Sequence, residues 1–181
     1  FSRLVEGYAG LLAGHGVKAG DRVAVWLPNS ADYLALVFAL GRLAATAIHV
    51  NTRFRSAEVG YLLSRSKADV LITQWDFGPV DFPKILREVA AEERAHLRLV
   101  IGRDASARDI LGLPVAPLAP NGSAPDAARA DAPCLTFTTS GTTSGPKLVL
   151  HNQRSIATHA CDVAPVIGTD KPGSSVLAVV P

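Results

Sequence analysis

The chain has little cysteine, and this scarcity removes two classes of protein. Cys134 and Cys161 are the only two cysteines in 181 residues, too few for a disulfide framework or a cysteine-based metal site. The five histidines also lack the spacing of metal ligands. We therefore expect no metal-ligating residues in this chain and a reducing, cytoplasmic location.

Net charge and long hydrophobic runs are scarce too. The formal net charge is only +2, and Lys and Arg are scattered, so no nucleic-acid partner is expected. The most apolar run, residues 33–50, is interrupted by Gly41 and Arg42, so no membrane span is expected. The charge and composition indicate no oligomeric state.

Methionine is absent, and Phe1 lies inside an apolar helical pattern. We therefore expect the chain to be a fragment. Its true N-terminus and any targeting segment do not follow from this sequence.

Helical and strand patterns alternate along the first hundred residues. Pro28-Asn29-Ser30 ends one strand pattern and has the residues that cap a helix. The predicted helices cover 1–15, 31–41, 56–63 and 83–94, and the predicted strands cover 22–27, 46–50, 69–73 and 97–101. This alternation predicts an α/β fold, with an open, largely parallel sheet covered by helices on both faces.

The pattern changes after residue 103. Residues 104–133 are rich in Pro and Ala without a clear period, and they predict a connecting segment at the surface. After the second apolar run come a predicted helix at 151–162, a loop at 168–175 and a strand at 175–180. We therefore divide the chain into a first α/β layer at 1–103, a connection at 104–133 and the start of a further subdomain at 134–181.

The stretch from Thr136 to Lys147 is the candidate ligand-binding segment of this sequence. It combines five Thr, two Ser and two Gly with one Lys, between two apolar runs that predict strand, loop and strand. Small hydroxyl residues leave room for a ligand, glycines let backbone N–H groups turn toward an anion, and the Lys adds positive charge. A loop of this kind, at 138–147, suits a polyphosphate.

The same loop has two other possible interpretations, a solvated turn and a P-loop. A loop rich in Ser, Thr and Gly is often only a solvated turn. The P-loop of nucleotide-binding proteins needs Gly-Lys-Ser/Thr at the start of a helix, whereas here Pro146 precedes Lys147 and a strand pattern follows. The order of residues excludes the P-loop.

The order Thr139-Ser140-Gly141-Thr142-Thr143-Ser144-Gly145-Pro146-Lys147 resembles the signature loop of the adenylate-forming superfamily, which includes the acyl-CoA synthetases. Ser144 and Leu148 stand where that family more often has Gly. The resemblance extends to residues 16–30 and 51–63 and is weakest between residues 75 and 133.

The resemblance implies a ligase that activates a carboxylic acid, a fatty acid or a related carboxylate, with ATP and Mg²⁺ and then transfers the acyl group to coenzyme A. It implies that the loop contacts the ATP phosphates through Thr139, Ser140, Gly141, Thr142, Thr143 and Lys147. The adenine, metal and catalytic-lysine motifs of the family would lie beyond Pro181. We therefore expect no catalytic residue in this chain and no activity from it alone.

Two alternatives remain open at this point. The first is an adenylation domain that acts on a carrier protein, and the second is a nucleotide-binding α/β module that catalyses no reaction. No role in catalysis is assigned to the remaining histidines, to Arg53 and Arg55, or to Trp26 and Trp75. For His151 we expect a structural hydrogen-bonding role.

Overall fold

The computed structural model describes residues 1–139 and 147–175. The predicted strand at 175–180 falls almost wholly outside these ranges. The helices are α1 Ser2–Gly14, α2 Ala31–Arg42, α3 Ser56–Ser66, α4 Phe82–Glu88 and α5 Gln153–Val166. The strands are β1 Arg22–Val25, β2 Thr46–His49, β3 Val70–Gln74, β4 Leu99–Arg103, β5 Asp109–Ile110, β6 Leu113–Pro117, β7 Pro133–Thr139 and β8 Lys147–Asn152.

The strands of the described residues form one sheet in the order β5-β6-β4-β3-β1-β2-β7-β8. Every neighbouring pair from β6 to β7 is parallel, and only the two edge strands, β5 and β8, run antiparallel to their neighbours. This arrangement confirms the predicted α/β fold with a largely parallel sheet.

Both faces of the sheet are buried, as the continuous apolar strand patterns predicted. In β1, Val23 and Val25 join the core beneath α1 and α2. Ala24 and Trp26 point to the opposite side and join the core beneath α3 and α4. The side-chain alternation of a strand thus divides one run of sequence between two cores.

The start of α2 is set by Ser30, whose hydroxyl accepts a hydrogen bond from the backbone N–H of Tyr33 at 3.2 Å. This bond satisfies one of the amides that the first turn of a helix leaves free. Asp32 adds a negative charge in the same turn, where the helix dipole favours it. The predicted cap after Pro28-Asn29 is confirmed.

The fourth helix is shorter than the pattern of residues 83–94 predicted, because it ends at Glu88. Val89 adopts an extended conformation, and its side chain is buried in the core beneath α3 and α4. An apolar residue that continued the helical period in sequence therefore reaches the core from the extended segment after the helix.

The segment 104–133 contributes two strands that the sequence pattern did not reveal. Strands β5 and β6 form a short hairpin, and β6 pairs in parallel with β4. The chain then crosses α1, where the N–H of Asn121 donates to the carbonyl of Gly7 at 3.0 Å and Ala124 is buried. The segment is packed against the first layer, and the division of the chain at 103 and 133 stays a prediction.

Among the described residues, no helix is both long and apolar enough to cross a membrane.

Candidate phosphate-binding hairpin

Strands β7 and β8 form the two arms of a hairpin around the predicted loop. Their register runs from Leu135 opposite His151 to Thr139 opposite Lys147. The structure thus confirms the strands on both sides of the loop. Residues 140–146 lie outside the described residues.

The hairpin ends at the carboxyl edge of the sheet. Strand β7 runs parallel to β2, with Ala47 beside Leu135 and Ile48 beside Thr136, so its last residue leaves on the same side as the ends of the other parallel strands. In open α/β sheets, ligands bind outside this edge. Strand β7 therefore ends at the edge where this fold places ligands.

Two of the six predicted phosphate contacts fall within the described residues. Thr139 and Lys147 are exposed and pair across the hairpin, which brings a hydroxyl-bearing residue and an ammonium-bearing residue to one place. In the part of the chain that the structure describes, Lys147 makes no ion pair. The other four, Ser140, Gly141, Thr142 and Thr143, lie outside the described residues.

A row of aromatic rings lies at the base of the hairpin, and the sequence patterns did not single it out. Tyr33 of α2 hydrogen-bonds through its hydroxyl to Nδ1 of His49, the last residue of β2. The His49 ring stacks on Phe137 of β7, with centroids 5.0 Å apart and planes 15° apart. The rings of Phe137 and His151 then make a T-shaped contact, with their centroids 5.7 Å apart.

Burial sets the protonation states of His49 and Tyr33. It lowers the pKa of His49 to about 4, because an imidazolium would lose its hydration, and it raises the pKa of Tyr33 to about 12. Both groups are therefore neutral at pH 7. Nε2 of His49 is buried and has no hydrogen-bond partner among the described residues.

A second polar cluster lies between the ends of β1 and β3, where the strand order reverses direction. The Tyr8 hydroxyl donates to Oδ1 of Asp32 at 2.7 Å, and the Arg103 guanidinium pairs with Oδ2 of the same carboxylate. Arg103 also donates to Ser30 Oγ and to Gln74 Oε1, each at 3.4 Å. Burial and the bond to Asp32 raise the pKa of Tyr8 far above its ordinary value. The bonds of this cluster connect α1, α2, β3 and β4, and we assign the cluster a structural role.

Three residues outside the predicted phosphate contacts, His151, Gln153 and Trp26, have structural contacts. The His151 ring packs on Phe137, and its backbone carbonyl accepts from Cys134 Sγ at 3.5 Å. Gln153 Nε2 donates to the carbonyl of Gly41 at 2.7 Å and ties the start of α5 to the end of α2. Trp26 is fully buried.

No candidate metal site accompanies the hairpin in the described ranges, 1–139 and 147–175. They contain no group of three or more His, Cys, Asp or Glu side chains that could hold a metal ion. The described part of the site, Thr139 and Lys147, offers one hydroxyl and one ammonium group, a pair that suits an anion.

Comparison with known proteins gives one family over the whole chain. A family model described as "AMP-binding enzyme" matches residues 1–181. The long-chain-fatty-acid–CoA ligase FadD13 of Mycobacterium tuberculosis is 31% identical over 169 residues, which cover 88% of this chain and 30% of that protein. The salicyl-AMP ligase / salicyl-S-ArCP synthetase of the same organism is 28% identical over 141 residues, which cover 78% of this chain and 25% of that protein.

The fold comparison agrees. An inhibitor-bound crystal structure of the N-terminal domain of FACL13 from Mycobacterium tuberculosis superposes with a TM-score of 0.72 at 28% identity, covering 90% of this chain and 39% of that one. The chain spans less than a third of the length of the two curated relatives named above.

Proposed function

Because the chain belongs to the AMP-binding enzyme family, we propose that it carries the ATP-phosphate-binding part of a ligase that activates carboxylic acids. In the proposed reaction the acid carboxylate attacks the α-phosphorus of ATP, the bond to pyrophosphate breaks, and an acyl-adenylate forms. The acyl group, from a fatty acid or a related carboxylate, then passes to the thiol of coenzyme A and AMP leaves.

The observation that carries this proposal is the pairing of Thr139 with Lys147 at the carboxyl edge of the sheet. The loop between them is rich in hydroxyls and glycines, and its two ends leave adjacent strands. A polyphosphate held there meets donors from both strands. A simple solvated turn needs neither the lysine nor this location.

The role of the loop is to offset negative charge. Phosphate oxygens repel an incoming carboxylate until donors compensate for their charge, so positioning and charge stabilisation supply the catalysis. The Lys147 ammonium would make a charge-assisted hydrogen bond to a phosphate oxygen. Hydroxyls and backbone N–H groups would come from Thr139, Ser140, Gly141, Thr142 and Thr143.

Mg²⁺ and coenzyme A are part of the proposed reaction, but the described residues do not fit a metal. We therefore assign no residue to Mg²⁺ and derive no step through it. No described residue is assigned to coenzyme A either.

The test is acid-dependent release of pyrophosphate by the complete gene product that contains this chain. The assay contains ATP, Mg²⁺ and a panel of carboxylic acids from short to long and aromatic. Charge-assisted hydrogen bonds contribute about 1.5–3 kcal/mol, so Lys147→Ala should lower kcat/KM for ATP about 10- to 150-fold. Thr142→Ala should lower it by a smaller factor, because it removes a neutral donor.

Lys84→Ala is the matched control, since Lys84 is an exposed lysine of α4 and lies outside the hairpin. It should keep the wild-type rate. Release that needs acid and falls only in the loop variants would support adenylation. ATP binding without release, for every acid in the panel, would favour the nucleotide-binding module without chemistry.

The identity of the acyl acceptor distinguishes the proposed ligase from an adenylation domain that acts on a carrier protein. The name of one relative, salicyl-S-ArCP synthetase, gives a thioester acceptor other than coenzyme A for that protein. Formation of acyl-CoA from the preferred acid, followed by mass spectrometry, would support the ligase. Adenylate formation without acyl-CoA would favour an adenylation domain that acts on a carrier protein.

A further inference from the structure

The row of rings Tyr33, His49 and Phe137 connects helix α2 to the hairpin. Tyr33 lies in the first turn of α2, and its ring centroid is 5.5 Å from that of His49. Phe137 lies in β7, and only Thr138 and Thr139 separate it from the start of the loop region outside the described residues. The contacts therefore lead from a helix packed in the core to the strand that enters the loop.

The stack begins where the backbone pairing ends. The parallel register between β2 and β7 is recorded for Ala47 with Leu135 and for Ile48 with Thr136. His49 and Phe137 are the next residues on the two strands, and they meet through their side chains. Beyond this point β7 pairs only with β8, the edge strand. The stack thus extends the contact between β2 and β7 by one residue beyond their backbone pairing, on the face opposite to that where Leu148 of β8 packs against the core beneath α3 and α4.

Burying the His49 imidazole costs free energy, because one of its two ring nitrogens has no hydrogen-bond partner among the described residues. The ring is neutral, its Nδ1 is bonded to the Tyr33 hydroxyl, and in either neutral tautomer its buried Nε2 lacks a partner among the described residues. A buried polar atom without a partner costs free energy and calls for an explanation. A phenyl ring would stack without this cost, but it would lose the bond to Tyr33.

We propose that Tyr33 and His49 form a positioning pair, which fixes strand β7 through Phe137 and so sets where the phosphate-binding loop leaves the sheet. The proposal rests on the proposed function of the loop. The hydrogen bond fixes the rotation of the imidazole about its side-chain bonds, and the fixed ring presents its face to Phe137. In this proposal the pair acts on ATP binding through the strand, because its contacts lead to Phe137 of β7.

The first test removes one link at a time in the complete gene product. Tyr33→Phe removes only the hydroxyl, His49→Phe keeps an aromatic ring but loses the hydrogen bond, and Phe137→Leu removes the stack. Tyr61→Phe, which removes a hydroxyl from α3, is the matched control. Hydrogen exchange of the backbone amides of residues 138–139 and 147–149 is measured without nucleotide.

We expect exchange at these amides to rise about 2- to 10-fold in the three variants, the effect of one neutral hydrogen bond or contact of this strength. Exchange in β3 and β4 should not change, and Tyr61→Phe should match the wild type. Equal changes in all strands would show a general loss of stability and would overturn the inference. No change at the hairpin would overturn it as well.

The second test uses kinetics and separates this inference from the proposed function. In Tyr33→Phe, the KM for ATP should rise about 2- to 10-fold while the KM for the acid stays constant. A rise in both constants contradicts a role in positioning the phosphate loop. If the wild-type protein releases no pyrophosphate with any acid, the proposed function fails, whereas the exchange experiment still decides whether the pair positions the strand.

Discussion

Substituting Gly10 tests how closely helix α1 approaches the segment 104–133. Gly10 faces the backbone of residues 121–123 across the helix surface. A Cβ atom placed on Gly10 would lie 2.5 Å from the backbone nitrogen of Ser123 and 2.6 Å from the carbonyl carbon of Gly122, and it would also clash with the Asn121 carbonyl oxygen. All three obstacles are backbone atoms, which cannot rotate away as a side chain can.

The magnitude follows from two opposing terms. Replacing Gly by Ala inside a helix stabilises it by about 1 kcal/mol, because Ala loses less conformational freedom. Forcing a methyl group into a close-packed contact costs about 1–3 kcal/mol, and a contact with backbone lies at the upper end of this range. We therefore expect Gly10→Ala to lower the free energy of unfolding by about 1–2 kcal/mol.

Gly14→Ala provides the control within the same helix. A Cβ at Gly14 would meet no atom within 4 Å, so only the favourable term of about 0.4–1 kcal/mol applies. The two variants change the same residue type on one helix but should shift stability in opposite directions. The comparison is made by urea unfolding of the complete gene product, at equal m values. A Gly10→Ala protein as stable as Gly14→Ala would refute the close approach of the segment to α1.

Two further predictions concern protonation and capping. Since burial lowers the pKa of His49 to about 4 from 6.5, the unfolded chain binds the proton more tightly, and stability present above pH 6.5 is lost as the pH falls. The free energy of unfolding should fall by roughly 2 kcal/mol between pH 7 and pH 5 because of His49. The His49→Phe variant should lack this part of the pH dependence when urea midpoints are measured across the same range. Identical pH profiles for the variant and the wild type would contradict the prediction. Ser30→Ala removes the side-chain cap of α2 and should cost about 1 kcal/mol in the same assay, while Ser30→Thr should keep most of the stability; equal losses in both would exclude capping as the cause.

Local patterns were sufficient to predict the central layers of the fold. The run Arg22-Val23-Ala24-Val25-Trp26 is apolar without a break after its first residue, which predicts a strand buried on both faces. The structure places its alternate residues in two separate cores. Pro28-Asn29-Ser30 predicted the start of α2 because it combines residues that end a strand and cap a helix.

Other features depend on long-range contacts that local patterns do not contain. Strand β6 is only five residues long and holds two prolines, at positions 114 and 117, which disfavour a strand. It forms because it lies next to β4 at the side of the sheet, where its other neighbour is the two-residue strand β5. The burial of Val89 similarly ends α4 before its helical period ends.

The candidate site divides in the same way. The phosphate-binding loop is predicted from residues that are adjacent in sequence, so a local pattern is enough to predict it, and its contacts with phosphate stay a prediction. The stack of His49 on Phe137 joins residues 88 positions apart, and it arises only once β2 and β7 pair in this register. A histidine without metal-ligand spacing gives no signal of such a role in sequence.

Register is also what brings the two ends of the loop together. The pairing of β7 with β8 shifts by one residue between Pro133 and Leu135, and from Leu135 onward it stays in step until Thr139 meets Lys147. Because side chains alternate along a strand, a slip of one residue in β8 would move Lys147 away from Thr139 and turn its side chain to the other face of the sheet. The irregularity at the base of the hairpin therefore determines whether the hydroxyl and the ammonium group arrive on the same side. For this reason the proposed binding of phosphate depends on the pairing of β7 with β8 as much as on the composition of the loop.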